Sequence, residues 1–375
     1  MYWCFAVSEG IEQNADGSSR RRRKVLYFDN ATAAIAARSA YLAEAGKPTP
    51  ADSDVDPTTV AEFINLFLAA WKKKPSERGK MRAPNTLDSY KITLDLHVKP
   101  YIGDVPIVAV TSDTVRALYR RLEAKVSQSM LARVHAVTRL LFAYAIEERV
   151  IAVNPLAGIP RSGVPRHTAP HVVSFEPSEI AKLLKAAEPF RLGEIVQLAV
   201  DSGARQGELF ALRWQDVDLE TGTVYIKRNL SESSAGLQFC DTKTHGSRRN
   251  VTVTLQTIAE LKRRRAAAER EGLDSRNHLI FCSESGDPLW KSNFRRDVWG
   301  PIRKGAGLPN ARFHSLRHTC ATLLLRAGVH PKIVQERLGH KSIALTLDTY
   351  SDSIPSLQEH AAAAMSKALS ALSTT

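Results

Sequence analysis

Six residues spread over the second half of the chain have side chains that together suit phosphoryl transfer. In Ser202-Gly203-Ala204-Arg205-Gln206-Gly207-Glu208-Leu209, Arg205 and Glu208 are three apart, a spacing that puts both on one face of a helix. A carboxylate so placed can hold the guanidinium fork in one orientation and leave its other donors for a ligand. Taken alone, this is an ordinary helix ion pair. In His314-Ser315-Leu316-Arg317-His318-Thr319 the same spacing joins His314 and Arg317. Leu338-Gly339-His340 follows, then Thr346-Leu347-Asp348-Thr349-Tyr350. A lone histidine is more often a satisfied core residue, and a lone tyrosine more often packs. Two arginines, two histidines, a lysine and a tyrosine in one domain are the parts needed to break a phosphodiester without a metal.

The elements that must position these residues read as follows. From Pro57 to about Pro155 the pattern is helical, with Pro57 suited to a first turn and Val60, Phe63, Ile64, Phe67 and Leu68 as its apolar stripe. A second helix is predicted from Thr86 to His97, before a turn at Tyr101-Ile102-Gly103-Asp104. A third starts near Ser112. A fourth runs from about Gln128, with Leu131, Val134, Val137, Leu141 and Ala145 on one face and Asn154-Pro155 as its stop. Beyond a proline-rich tether, helices are predicted at 177–187, 191–202, 207–213, 255–272, 292–305, 314–327, 331–338 and 342–349. Strands are predicted at Val224–Ile226 and Asn250–Val253, with a polar stretch between them that could itself contain strand.

At the N-terminus, the turn signal Asp16-Gly17, the run Arg20 to Lys24 and the apolar Val25–Phe28 suggest a hairpin with basic residues on it. A helix over 31–45 would follow, ended by Gly46. A solvated basic tail is the competing reading. The fold class expected is mostly α with a small β-sheet (α+β). The division expected is 1–48 for a small strand-helix module, 56–157 for a helical domain, 158–174 for a linker, and 175–375 for the domain bearing the six residues and a helical tail.

The net charge of +13 favours a polyanionic partner, because each neutralised phosphate releases condensed counterions. No apolar stretch approaches the ~20 residues of a spanning helix, and the short apolar N-terminus lacks the marks of a signal peptide. Cys4, Cys240, Cys282 and Cys320 lie far apart with no CxxC pair, so reduced thiols are expected rather than a disulfide framework or zinc site. Cys320 has no basic partner in the sequence and reads as a small core residue, and His318 as a packing or buttressing residue.

SGARQGELFALRW, HSLRHTCATLLLRAG, LGH and LDTY resemble the successive motifs of the tyrosine recombinase (phage-integrase) family, in the family's order, over about residues 175–350. The helical region before them is similar to that family's core-binding domain in pattern only, and the first 46 residues loosely resemble an arm-binding module. The resemblance implies a site-specific DNA recombinase, the integrase of a phage or mobile element, that cleaves and rejoins DNA through a 3′-phosphotyrosine. Arg205 and Arg317 would clamp the scissile phosphate, His314 and His340 would add hydrogen bonds, and Tyr350 would be the nucleophile. His314 is also a candidate for helping to deprotonate the tyrosine.

The family's general acid is a lysine on a turn between strands. Lys243, in Asp241-Thr242-Lys243-Thr244-His245-Gly246, fits that pattern, with Lys227 as competitor. Glu208 would orient Arg205. Arg21, Arg22, Arg23, Lys72, Lys73, Lys74, Lys80, Arg82 and Lys91 are candidates for gripping DNA, although lysines at a helix end also serve solvation and dipole compensation. No cofactor or metal is expected.

The partners implied are double-stranded DNA, three further copies in a tetramer, and directionality or DNA-bending proteins, with no membrane. The location implied is the cytoplasm, on the nucleoid. Leu357, Ala361, Ala364, Met365, Ala368, Leu369 and Leu372 share one helix face of the tail. That stripe could fold back on its own domain, but the resemblance favours docking on a neighbouring protomer. A chromosome-dimer-resolving or transposon recombinase, a type IB topoisomerase and a decayed DNA-binding protein are the alternatives.

Overall fold

The computed structural model describes residues 3–13, 19–28, 58–75, 79, 81–157, 159, 174–241, 248–275 and 278–350, with isolated positions between 362 and 370. The chain forms two compact units, Met1–His167 and Thr168–Thr375. Helices dominate and the sheets are small, as the sequence predicts, and the strands pair antiparallel.

In the first unit, β1 (Trp3–Gln13) pairs antiparallel with β2 (Ser19–Phe28). The strand starts ahead of the apolar Val25–Phe28, so the basic run lies inside β2, with Arg21 opposite Ile11, Arg22 opposite Gly10 and Arg23 opposite Ser8. The helix expected over 31–45 lies outside the described residues. Helix α1 (Val60–Lys73) starts three residues later than Pro57 suggests. Thr59 is its N-cap, accepting from the Glu62 N–H at 3.3 Å while Glu62 accepts from the Thr59 N–H at 2.8 Å. A reciprocal cap satisfies two orphan donors, which a proline in the first turn cannot do.

Next come α2 (Pro84–His97), the short α3 (Lys99–Ile102), which takes up the first half of the expected turn and leaves Gly103-Asp104 to complete it, α4 (Ser112–Glu123) and α5 (Gln128–Glu147). Val60, Phe63, Ile64 and Phe67 of α1 meet Leu131, Val134, Val137, Leu141 and Ala145 of α5 in one core. The stop of α5 is not Asn154-Pro155. The helix ends at Glu147, and Arg149 turns the chain at a left-handed φ of 60°.

The second unit opens with α6 (Pro177–Ala187), α7 (Glu194–Ser202) and α8 (Gln206–Phe210). Strands β3 (Val217–Asp218), β4 (Thr223–Ile226) and β7 (Arg249–Thr252) form an antiparallel sheet in the order β3-β4-β7. Between β4 and β7 the polar stretch is a second hairpin, β5 (Arg228–Ser233) with β6 (Gly236–Asp241).

Then follow α9 (Leu255–Arg270), α10 (Lys291–Phe294), a π turn (Arg295–Trp299), α11 (Gly300–Gly305), α12 (Ser315–Arg326), α13 (Pro331–Leu338) and α14 (Ile343–Tyr350). The single helix predicted over 292–305 is thus interrupted by the π turn, the kind of insertion that often marks functional ground. A core of α6, α7, the sheet and α9 includes Leu183, Ile195, Leu198, Val224, Val251 and Leu261. Ala321 and Leu325 of α12 pack on Val334 and Leu338 of α13.

No helix among the described residues is long and apolar enough to cross a membrane. Of the tail stripe, Met365 and Leu369 are exposed; the rest of it lies outside the described residues.

Candidate active site

Two left-handed glycines organise the site. Gly203 closes α7 at φ 61° and Gly339 closes α13 at φ 66°, a conformation that costs other residues roughly 1–2 kcal/mol. Each then presents its carbonyl to an arginine. The Gly203 carbonyl accepts from Arg317 Nη1 at 2.6 Å, and the Gly339 carbonyl from Arg205 Nη2 at 3.3 Å. A Cβ on Gly203 would lie 2.6 Å from Leu338 and 3.1 Å from Cys320 Sγ, so the close packing also needs a glycine.

Arg205 is not inside a helix, as the three-residue spacing suggests. It is the N-cap of α8 with an extended backbone (φ −72°, ψ 148°). The pair with Glu208 forms nonetheless, because a cap and the third residue of a helix face each other. Arg205 Nη1 donates to Glu208 Oε1 at 2.9 Å, and the Arg205 N–H to Oε2 at 2.8 Å. Glu208 is only 3% exposed against 40% for Arg205, so the carboxylate sits behind and the guanidinium in front.

His314 likewise caps α12 rather than riding on it, and Arg317 is buried in that helix's first turn. Burial, then the charges of Arg317 and Arg205, lowers the His314 pKa below its usual range. Burial and the same two arginines, with Arg249 behind them, press His340 down to about 4. The two arginines therefore bear on both histidines, and the imidazoles are neutral near pH 7. His340 Nδ1 lies 2.9 Å from the Thr346 hydroxyl, which ties the Leu338-Gly339-His340 turn to α14. Thr346 is fully buried and Tyr350 is the last residue of α14; the Tyr350 side chain lies outside the described residues.

His318 stacks edge-on against His314, ring centroids 4.8 Å apart, and burial with the neighbouring charges takes its pKa to about 4. Cys320 is buried, as expected, but the fold does supply the basic partner absent from its sequence surroundings. Its Sγ donates to the Asp201 carbonyl at 3.2 Å, and that carbonyl also accepts from Arg337 Nε at 3.1 Å. Burial dominates over the nearby Arg337 and drives the thiol up to about 11.

Sequence reasoning passed over Arg249. Its side chain, 6% exposed, sends Nη1 and Nη2 to the two oxygens of Glu208 at 3.2 and 2.8 Å. Its Nε reaches the Arg337 carbonyl at 2.6 Å. Nothing local could have flagged it, since it is the second of two adjacent arginines where β7 begins and its partners are 41 and 88 residues away.

Lys243 lies outside the described residues. Lys227 stands 3.6 Å from the buried Asp216 carboxylate and over the Tyr225 ring. A cleft of about 440 Å³ beside His340 is lined by Arg248, Lys332 and Lys341, and another of about 850 Å³ beside His314 by Lys291, Arg295 and Arg312. Both flanks of the arginine-histidine cluster are therefore basic.

Of the basic residues in the first unit, Lys72, Lys73 and Lys91 are exposed, and Lys91 pairs with Asp95. Lys74 pairs with Glu147, and Arg82 lies 3.8 Å over the Trp71 ring while donating to the Lys74 carbonyl at 2.6 Å. Those two have structural work to do. Lys80 and the side chains of Arg21, Arg22 and Arg23 lie outside the described residues. Among the described residues no group of histidine, cysteine or carboxylate side chains could hold a metal ion. Cys240, Cys282 and Cys320 are free thiols.

Comparison with known proteins gives the family of the chain. Residues 174–356 match the phage integrase family and residues 66–161 the phage integrase central domain. A XerC-like tyrosine recombinase of Caldanaerobacter subterraneus is 27% identical, covering 96% of this chain and 94% of its own. The integrase of Mycobacterium phage D29 is 28% identical over 75% of this chain and 71% of its own. Among solved structures, the Tn1549 transposon integrase bound to a circular intermediate DNA superimposes with a TM-score of 0.63 at 19% identity, covering 78% of this chain and 95% of that one. A lambda integrase tetramer bound to a Holliday junction gives 0.56 at 18% identity, with 92% of each chain covered. The chain belongs to the tyrosine recombinase (phage integrase) family.

Proposed function

We propose that this site-specific DNA recombinase, acting for a phage or mobile element, breaks DNA with Tyr350 as nucleophile and Arg205, Arg317, His314 and His340 as the phosphate-binding set. The observation that carries the reading is that both arginines, each fixed by a glycine carbonyl, bear on both neutral histidines. Permanently charged planar forks fixed in advance offset the charge that builds on the phosphate oxygens at no reorganisation cost.

A phenol with a pKa of about 10 must lose its proton to attack. The neutral His314 is suited to accept it. His340, held through Nδ1 by the Thr346 hydroxyl, hydrogen-bonds the phosphate through its other ring nitrogen. Attack on phosphorus forms a 3′-phosphotyrosine and releases the 5′-oxygen, which Lys243 protonates. The bond energy is retained in the phosphotyrosine, so a 5′-hydroxyl from the partner duplex can reverse the step without a nucleotide cofactor.

Four protomers would hold two duplexes and exchange strands in pairs, with the tail from about residue 356 docked on a neighbour. The helical region over 56–157 and the basic hairpin before it would grip flanking DNA, and directionality or DNA-bending proteins would set the outcome. The setting is the cytoplasm, on the nucleoid. The solved relatives support this scheme in that they are integrases captured on DNA, one as a dimer on a core site and one as a tetramer on a Holliday junction.

The test begins by mapping integration junctions in a host genome to define the site. A nicked suicide duplex carrying that site should then trap a covalent protein–DNA adduct with wild type in EDTA, and none with Tyr350→Phe. An adduct that persists in the Phe variant would remove Tyr350 from its role. Wild type that binds the duplex yet never forms an adduct would leave only DNA binding.

A further inference from the structure

We propose that Arg249 is the positioning residue for Arg205, fixing both of the groups that hold the Arg205 guanidinium. The inference rests on Arg205 acting as a phosphate clamp. Arg205 is steadied from two directions, by Glu208 and by the Gly339 carbonyl. Arg249 bonds the first and packs against the residue that carries the second. Its Nη1 and Nη2 take one oxygen each of the Glu208 carboxylate, at 3.2 and 2.8 Å. Together with Nη1 and the N–H of Arg205, these donors give each Glu208 oxygen two partners.

On the other side, Arg249 Nε donates at 2.6 Å to the carbonyl of Arg337, two residues before Gly339. A Cβ built on Gly339 would lie 2.9 Å from Arg249 Nη1, so the guanidinium fills the space that a side chain there would need. Arg249 is thus a cross-link from β7 to the cap of α8 and to the end of α13.

The division of labour follows from exposure and charge. Arg249 is 6% exposed and Arg205 40%, so one faces the protein and the other the substrate. Glu208 paired with Arg205 alone would cancel the positive charge meant for the phosphate. Shared between two guanidinium groups, the carboxylate leaves a net positive charge facing outward. A lysine could not replace Arg249, because one ammonium cannot span both Glu208 oxygens and the Arg337 carbonyl.

The experiment is single-turnover cleavage of the nicked duplex by wild type, Arg249→Ala, Arg249→Lys, Arg205→Ala and the Arg205→Ala/Arg249→Ala double variant. DNA affinity and thermal unfolding are measured on each. Arg249→Ala should lower the saturating cleavage rate on the order of 100-fold, the scale of a misplaced reacting group, with DNA affinity unchanged. Added guanidinium should restore part of that rate, and Arg249→Lys should stay close to Arg249→Ala. The double variant should cleave no more slowly than Arg205→Ala, since a residue acting through Arg205 has nothing left to position.

Three results would overturn the inference. One is a wild-type rate in Arg249→Ala, and another is full activity in Arg249→Lys. The third is a double variant slowed further by the full single-variant factor, which would mean that Arg249 acts independently. Should Arg249→Ala fail to fold, Arg249→Lys carries the decision. A wild-type rate in Arg205→Ala would instead remove the clamp reading on which the inference depends.

Discussion

His340 and His318 each have a pKa of about 4, well under the usual 6.5, because burial and neighbouring cations penalise the imidazolium. Between those values the unfolded chain binds more protons than the folded one. Their contribution to stability is therefore complete above the ordinary value and is lost as pH falls toward 4. The expected result is a lower urea midpoint at about pH 5 than at about pH 7.5, with a smaller drop in His318→Gln. An equal drop in that variant would place the acid sensitivity elsewhere. His318 is a fair probe because its ring stacks on His314 without being one of the groups assigned to the phosphate. Neutral rings also suit the proposed chemistry, in which one accepts the proton of Tyr350 while the other hydrogen-bonds the phosphate.

At the scale of elements, the caps decide where side chains end up. Arg205 and His314 both stand at helix N-caps, where a side chain projects from the end of the helix rather than from its flank. Gly203 and Gly339 stand at C-caps and turn their carbonyls onto the arginines. The choice between Lys243 and Lys227 belongs here too. Lys227 follows β4 and faces the Asp216 carboxylate and the Tyr225 ring, partners of its own that a proton donor to DNA would have to leave. Lys243 lies in the sequence between β6 and β7. A 5′-bridging phosphorothiolate has a sulfur leaving group that needs no proton, so it should restore cleavage to Lys243→Ala, while Lys227→Ala should cleave ordinary DNA normally. Rescue of Lys227→Ala, with none for Lys243→Ala, would reverse the assignment.

For the whole molecule, the net charge of +13 is the property that DNA feels first. Log affinity for DNA should fall linearly with log salt, by about 0.9 for each phosphate gripped. Lys72 and Lys73, exposed at the end of α1, should contribute to that slope, whereas Lys74 and Arg82 are engaged within their own unit. Replacing Lys72 and Lys73 by alanine should make the slope shallower, and the Arg82→Ala variant should instead lose stability through the exposed Trp71 ring. An unchanged slope in the Lys72/Lys73 variant would take α1 out of the DNA-binding surface.

The sequence alone determined the periodic helices and supplied the residue types of the candidate site, because apolar stripes and short motifs are written in local spacing. The apolar stripe of α1, the face of α5, and the motifs around Arg205, Arg317 and Gly339 can be read without coordinates. Tertiary structure decided whatever depends on two distant segments meeting. It set the start of α1 by a reciprocal cap and the end of α5 by one left-handed arginine. It also brought Arg249 to Glu208 across 41 residues, and Arg337 to the Asp201 carbonyl beside Cys320 across 136. A buried carboxylate takes its partners from wherever the fold delivers them, and spacing along the chain holds no record of that.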